Sequence, residues 1–165
     1  MSAEEKNPHL RSACMALYIV TGAGGVLQFF DGLLLVSLVI LGIAWFMAKA
    51  QRIAARGTIY ASHAEWAART MSIGGTVLFP IALLIGCFII WHSVDIDALK
   101  TSIQNDEADN LGAVVQGFLT SNMEKISHIT DIASLPPTFW WVRRCWVGLL
   151  RAKQKIPIDY PHSWL

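Results

Sequence analysis

Two apolar runs constrain this chain more than any other feature. Residues 26–48, VLQFFDGLLLVSLVILGIAWFMA, are interrupted only by Gln28, Asp31 and Ser37, and residues 72–94, SIGGTVLFPIALLIGCFIIWHSV, contain no formal charge. Each has about the 20 residues that a helix needs to cross a bilayer core. A soluble domain has no use for two such segments, and the composition agrees: 54% of residues are apolar and 15% charged, against about 25% charged in soluble proteins. The expected fold class is all-α, an integral membrane helical bundle with two firm transmembrane helices, a possible third C-terminal crossing over residues 132–150, and an external amphipathic helix.

Other features refine this plan. Upstream of the first run, SACMALYIVTGAGGVLQ is apolar but short, and the glycines at 22, 24 and 25 predict that a helix of two to three turns breaks there, half-inserted or packed against the first span, with a full extra crossing as the alternative. Pro80 is expected to kink the second span, and Gly74, Gly75 and Gly86 offer surfaces for close helix approach. Trp45 and Trp91 fall near span ends, where indoles prefer to sit. Two acids precede the first base at the N-terminus, which is not the pattern of a cleavable signal peptide, so the first span is expected to direct its own insertion.

Charge sets the expected orientation. Between the runs, Lys49, Arg52, Arg56 and Arg69 face only Glu65, whereas residues 95–131 carry seven acids against Lys100 and Lys125. Basic residues hold their loop in the cytoplasm, placing 49–70 inside and 95–131 outside, in the periplasm of a Gram-negative host. The outer segment repeats apolar residues at helical spacing from Leu111 to Ile126, and Pro136 with Pro137 is expected to stop that helix and start another. In the last segment Phe139, Val142, Trp146, Leu149 and Leu150 share one stripe, with Arg144 and Arg151 opposite. Such a helix suits the interface, but its basic tail, Arg151, Lys153 and Lys155, belongs inside. A crossing over 132–150 reconciles the two at a cost of a few kcal/mol for each of Arg143 and Arg144. The domain plan is one membrane domain over residues 1–157, with 158–165 as a tail.

The segment YASHAEWAART, residues 60–70, gathers the chain's densest chemistry. On a helix, Ser62, Trp66 and Thr70 align at spacing four, with Arg69 beside them and His63 above Trp66. Ser62 reads as a helix cap with Glu65 at the third position, so the stretch is a capped interface anchor or a contact for a ligand or partner. His63 and His92 are 29 residues apart, about 43 Å along one helix, too far to share a metal. His92 and His128 lack the spacing of a metal pair. The cysteines Cys14, Cys87 and Cys145 lack CxxC spacing and read as small hydrophobes. No metal, no cofactor and no catalytic residue is therefore expected. Asp31 lies within a span, where a carboxylate is either functional or reaches toward the headgroups.

The entry Ser62, His63, Trp66, Thr70, followed at a distance by Trp140, Arg144 and Gly148 at spacing four, resembles the small bacterial inner-membrane proteins of a domain-of-unknown-function family. The magnetosome protein MamF and, distantly, chloroplast import-channel components are relatives of that family. The resemblance covers about Met15 to Val94 and Phe139 to Pro157. It implies membrane residence, a compact helical bundle and a last crossing that bears an arginine, but no reaction and hence no catalytic residue. This chain departs from the pattern by placing the acidic stretch Asp95 to Asp131 where relatives have a short turn.

With no catalytic motif and no basic excess for nucleic acid, the expected partners are the lipid bilayer and other membrane proteins. The favoured function is a structural or assembly partner of a larger membrane complex. A transport or channel component is the alternative, and a lipid- or cofactor-binding membrane enzyme is a third reading.

Overall fold

The computed structural model describes residues 8–30, 32–94, 100, 101, 103 and 111–161, and among them every regular element is helical. Helix α1 spans Pro8–Leu27, α2 Leu34–Ala54 and α3 Ile59–Ile73; a π-helical turn, Gly74–Leu78, leads into α4, Phe79–Ser93, and α5 spans Leu111–Lys153. Three helical stretches are long and apolar enough to cross a membrane: His9–Leu27, Leu34–Ala54 and Ile59–Ser93.

The spans are therefore partly redrawn. The glycine cluster does not break α1, which runs through Gly22, Gly24 and Gly25 before the chain turns at Gln28–Leu33. Tertiary contact overrides weak propensity here. The Gly24 carbonyl accepts the Ser37 hydroxyl at 2.6 Å, and a side chain on Gly25 would come within 2.7 Å of the Trp141 indole. The span expected at 26–48 accordingly begins at Leu34 and ends at Ala54, and α1 is a further helix long and apolar enough to cross. A π-helical turn, Gly74–Leu78, immediately precedes Pro80. The Pro80 ring has no N–H for the Thr76 carbonyl and crowds that oxygen, and this turn gives the ring room.

Pro136 and Pro137 do not stop a helix either, because both lie within α5. Each removes one ladder bond, to the carbonyls of Ile132 and Ala133, but the following turn is anchored by the buried Pro137 and Trp141. The chain divides into two compact units at this point: Met1–Leu78 with Pro136–Leu165, and Phe79–Leu135.

The first unit packs α1, α2, α3 and the C-terminal part of α5 side by side. Along α1, Arg11 donates to the Lys153 carbonyl, Tyr18 lies on Gly148, the Thr21 carbonyl accepts from Trp141 and Gln28 donates to Thr138. That order makes α1 and the end of α5 antiparallel over the whole length of α1. Helix α2 returns along α1 through Ser37–Gly24 and Gln51–Ala13, and α3 returns along α2 through Arg52–Glu65 and Trp45–Ser72. One end of the unit thus collects Arg11, Arg52, Arg56, Arg151 and Lys153.

This unit buries polar side chains beside an apolar core of Leu17, Tyr18, Tyr60, Trp66, Met71 and Trp141, and turns large apolar side chains outward. Thr21, Ser37, His63, Thr70 and Arg144 are buried, with Ala44, Ala48, Ala64 and Ala67 between them, while Leu35 on α2 is 74% exposed. The end of α5 follows the same pattern. The apolar stripe, read as suiting the interface, faces out, with Phe139 74% and Trp146 59% exposed, and the arginine opposite it is 1% exposed.

In the second unit, α4 turns Leu83, Leu84, Phe88 and Trp91 outward. Gly86 faces Ala133 and the Lys125 ammonium donates to the Ser93 carbonyl, so α4 and the first part of α5 run antiparallel. The external helix expected from Leu111 to Ile126 is the start of α5, with Val114, Phe118 and Ile126 its half-buried side. The acids Asp95, Asp97, Asp106, Glu107 and Asp109 lie outside the described residues.

Candidate functional site

Helix α3 begins four residues earlier than a Ser62 cap would place it: Gly57 turns the chain at φ 78°, Thr58 is the N-cap in extended conformation, and Ile59 is the first helical residue. Ser62 is therefore not the cap but an interior residue. Its hydroxyl donates to the Ile59 carbonyl at 2.7 Å and accepts the Ile158 N–H at 3.1 Å, which ties α3 to the C-terminal tail.

One turn further on, His63 is fully buried and both ring nitrogens are engaged. Nε2 lies 2.9 Å from the Ile156 carbonyl oxygen, which can only accept, so Nε2 carries the hydrogen. Nδ1 is 3.1 Å from the Tyr18 hydroxyl, which is also 3.1 Å from the His63 carbonyl. No ring nitrogen remains for a ligand or metal. His63 instead joins α1, α3 and the tail.

The tail reaches His63 because α5 ends in a left-handed turn. Lys155 adopts φ 58°, its N–H donates to the Ala152 carbonyl and the Ile156 N–H donates to the Arg151 carbonyl. This is the Schellman arrangement, with lysine where glycine is usual.

Two further turns along α3, the two separated motifs meet. The Trp66 Nε1–H donates to the Arg144 carbonyl at 3.1 Å, Arg144 Nε–H donates to the Thr70 hydroxyl at 3.0 Å, and Thr70 donates to the Trp66 carbonyl at 2.8 Å. Three residues thereby close a ring of hydrogen bonds between α3 and α5. The Arg144 guanidinium carbon lies 3.5 Å from the Trp66 ring centroid and 4.9 Å from that of Trp140, so the cation sits between two indoles. Gly148, one turn on, leaves the space that the Tyr18 ring fills.

Arg69 is apart from this cluster. It reaches back to Glu65 at 3.4 Å, and Glu65 also pairs with Arg52 at 2.7 Å, closing the α2–α3 corner. Asp31 lies outside the described residues. The other histidines do not converge: His92 bonds the Phe88 carbonyl of its own helix, and His128 faces Glu124 at 3.8 Å. Among the described residues no group of three histidines, cysteines or acids is placed to hold a metal ion.

Sequence reasoning missed Tyr18, Thr21 and Trp141. Trp141 packs against Gly25 and Gly74, and its Nε1–H donates to the Thr21 carbonyl at 3.0 Å. The adjacent Trp140–Trp141 pair was a usable signal, since two indoles in succession cannot both face lipid. Nothing local marks Tyr18 or Thr21. The chain matches no protein-family model, no curated protein and no solved structure.

Proposed function

We propose that this is a small integral protein of the bacterial cytoplasmic membrane that serves as a structural or assembly partner of a larger membrane complex. The packing of the first unit carries this reading. Its polar side chains bond to one another across helices, while large apolar side chains face outward, an arrangement stable where the surroundings are lipid or other apolar helices. Side chains that a reaction would need, His63 and Arg144 above all, are occupied in joining helices. The meeting of Trp66 and Thr70 with Arg144 supports the MamF-like resemblance, because motifs far apart in sequence have a common purpose when they touch.

The orientation proposed has loop 49–70 and the C-terminal tail in the cytoplasm and 95–131 outside. Arg11, Arg52, Arg56, Arg151 and Lys153 at one end of the unit favour it under the positive-inside rule. In this orientation the end of α5 crosses beside α1, to which it is paired along its length.

Photo-crosslinking from Leu35 and Ile43 on the outer face of α2, followed by purification in mild detergent and mass spectrometry, tests the assembly role. A discrete protein adduct at stoichiometric yield is expected. A protein that crosslinks only to lipid and purifies without companions overturns the reading.

A further inference from the structure

The basic end of the first unit contains a half-open cavity of about 370 Å³, within the 300–1,000 Å³ of small-ligand sites. Three cations line it, Arg143, Arg144 and Arg151, with a single carboxylate, Asp159. Asp159 is 3.8 Å from Arg151, a loose pairing between exposed groups that a stronger anion can displace. Arg143 makes no hydrogen bond or ion pair among the described residues, and its side chain is exposed. Among the described residues the remaining walls are Trp66, Val147, the buried Ile158 and the exposed Tyr160, apolar apart from the Tyr160 hydroxyl.

We propose that this cavity binds a phosphate group carried by an anionic phospholipid. Arginine suits phosphate because its planar fork donates two parallel hydrogen bonds to two oxygens. Arg144, held by Thr70 and by the two indoles, lends the cavity wall a fixed positive charge. Arg143 and Arg151 supply the adjustable contacts. A purely ionic site for a soluble anion has no need of an indole and two aliphatic side chains, whereas the glycerol and first methylenes of a lipid do. Basic recesses between membrane helices at the cytoplasmic side are where anionic headgroups are held.

A second basic recess, lined by Lys49, Arg52 and Arg56, is a poorer site. Arg52 is bound to Glu65 at 2.7 Å and Lys49 lies 5.3 Å above the Trp45 ring. It provides the internal control.

The inference needs membrane residence but not the assembly role, so a partnerless protein leaves it intact. The full chain, purified in a neutral detergent, is titrated with phosphatidylglycerol, with phosphatidylcholine and with glycerol 3-phosphate, and bound ligand is counted by native mass spectrometry. Phosphatidylglycerol is expected to bind one per chain at least tenfold more tightly than phosphatidylcholine. The double variant Arg143→Gln, Arg151→Gln should lose at least tenfold, and the control Lys49→Gln, Arg56→Gln should lose less than twofold. Both variants alter exposed or half-exposed residues and leave the Trp66–Thr70–Arg144 ring in place. Glycerol 3-phosphate binding at the same site and as tightly as the lipid keeps the phosphate site but assigns it a soluble ligand. Equal affinity for the two lipids with no glycerol phosphate bound, or equal loss in the control, overturns the proposal.

Discussion

Trp66 and Arg144 hold each other twice: the indole N–H bonds the arginine's carbonyl at 3.1 Å, and the guanidinium lies 3.5 Å from the indole centroid. Thr70 closes the ring by bonding one residue with its hydroxyl hydrogen and the other with its oxygen. The ring acts as a unit: loss of the Thr70 hydroxyl leaves the buried Arg144 Nε–H unmatched, loss of the Trp66 indole leaves the Arg144 carbonyl without its donor, and loss of the Arg144 side chain leaves the Thr70 oxygen without its donor. Thr70→Val should therefore destabilise the protein by about 1.5–3 kcal/mol, the range for a bond to a charged group. Trp66→Phe in the same background should cost less than it does alone, with a coupling of about 0.5–3 kcal/mol. Unfolding in detergent of the two single variants and the double variant measures it. Strict additivity would show that the three residues pack independently.

Arg144→Lys is the sharper substitution at the same place. Lysine keeps the charge but has no planar group to lie between Trp66 and Trp140 and no Nε–H to direct at Thr70. Membrane level should fall nearly as far as in Arg144→Met. Wild-type level in the lysine variant would mean that charge alone matters there.

Glycines in this chain separate into two kinds by what lies in front of them. At Gly74 the Trp141 ring, and at Gly148 the Tyr18 ring, occupies the place of a side chain, whereas Gly42 and Gly75 face open space. Gly74→Ala and Gly148→Ala should each destabilise by about 1–3 kcal/mol through overpacking. Gly42→Ala and Gly75→Ala should be neutral or stabilising by up to about 1 kcal/mol, since alanine is the better helix former. Thermal midpoints of the four variants in one detergent check both halves. Equal effects in all four would refute the close packing of rings on Gly74 and Gly148.

The same contrast explains what was legible beforehand. Helical class and the apolar runs follow from composition and spacing, because these depend on each residue's own preference for lipid or water. Errors arose where a distant residue decides. Gly24 and Gly25 look like helix breakers until Ser37 and Trp141 are placed against them, and Pro136 and Pro137 look like a stop until Trp141 anchors the next turn. The Phe139–Leu150 stripe reads as a face suited to the interface and it does face outward, but the spacing could not show what the opposite face meets. In water its apolar side would pack inward; here Arg144 and Gly148 do, because α1 and α3 offer them an indole, a hydroxyl and a phenol ring.

His63 joins three segments, and its loss should show at the tail. His63→Leu or Ser62→Ala removes one of the two bonds holding residues 156–158 to α3. Tryptic cleavage after Lys155 should quicken severalfold in either variant and more in the double variant, read by mass spectrometry of the released peptide. An unchanged rate would mean that the buried Ile158 side chain alone keeps the tail in place.

Lys155 offers a gain in stability. A non-glycine residue in the left-handed region costs about 1–2 kcal/mol relative to its preferred conformation, and Lys155 at φ 58° bears that cost. Lys155→Gly should raise stability by up to about 1 kcal/mol, and Lys155→Val should lower it by more, since a branched side chain tolerates the region least. The thermal midpoints of the two variants in detergent should thus lie on either side of the wild type.

Topology follows from the antiparallel pairing of α1 with the end of α5. Arg11 meets the Lys153 carbonyl at one end and Gln28 meets Thr138 at the other, so the C-terminal tail shares an end with Arg11. The α2–α3 corner is at that end as well, because Ser62 and His63 bond Ile158 and Ile156. Reporters fused after Arg56 and after Lys155 should therefore give the same, cytoplasmic, signal, and one fused after residue 110 the opposite signal. A shared signal after Arg56 and residue 110 would remove the crossing by Ile59–Ser93. Opposite signals after Arg56 and Lys155 would be the graver result: two segments joined by two hydrogen bonds at the His63 and Ser62 side chains cannot lie on opposite faces of a bilayer, so the helix pairing itself would have to be abandoned.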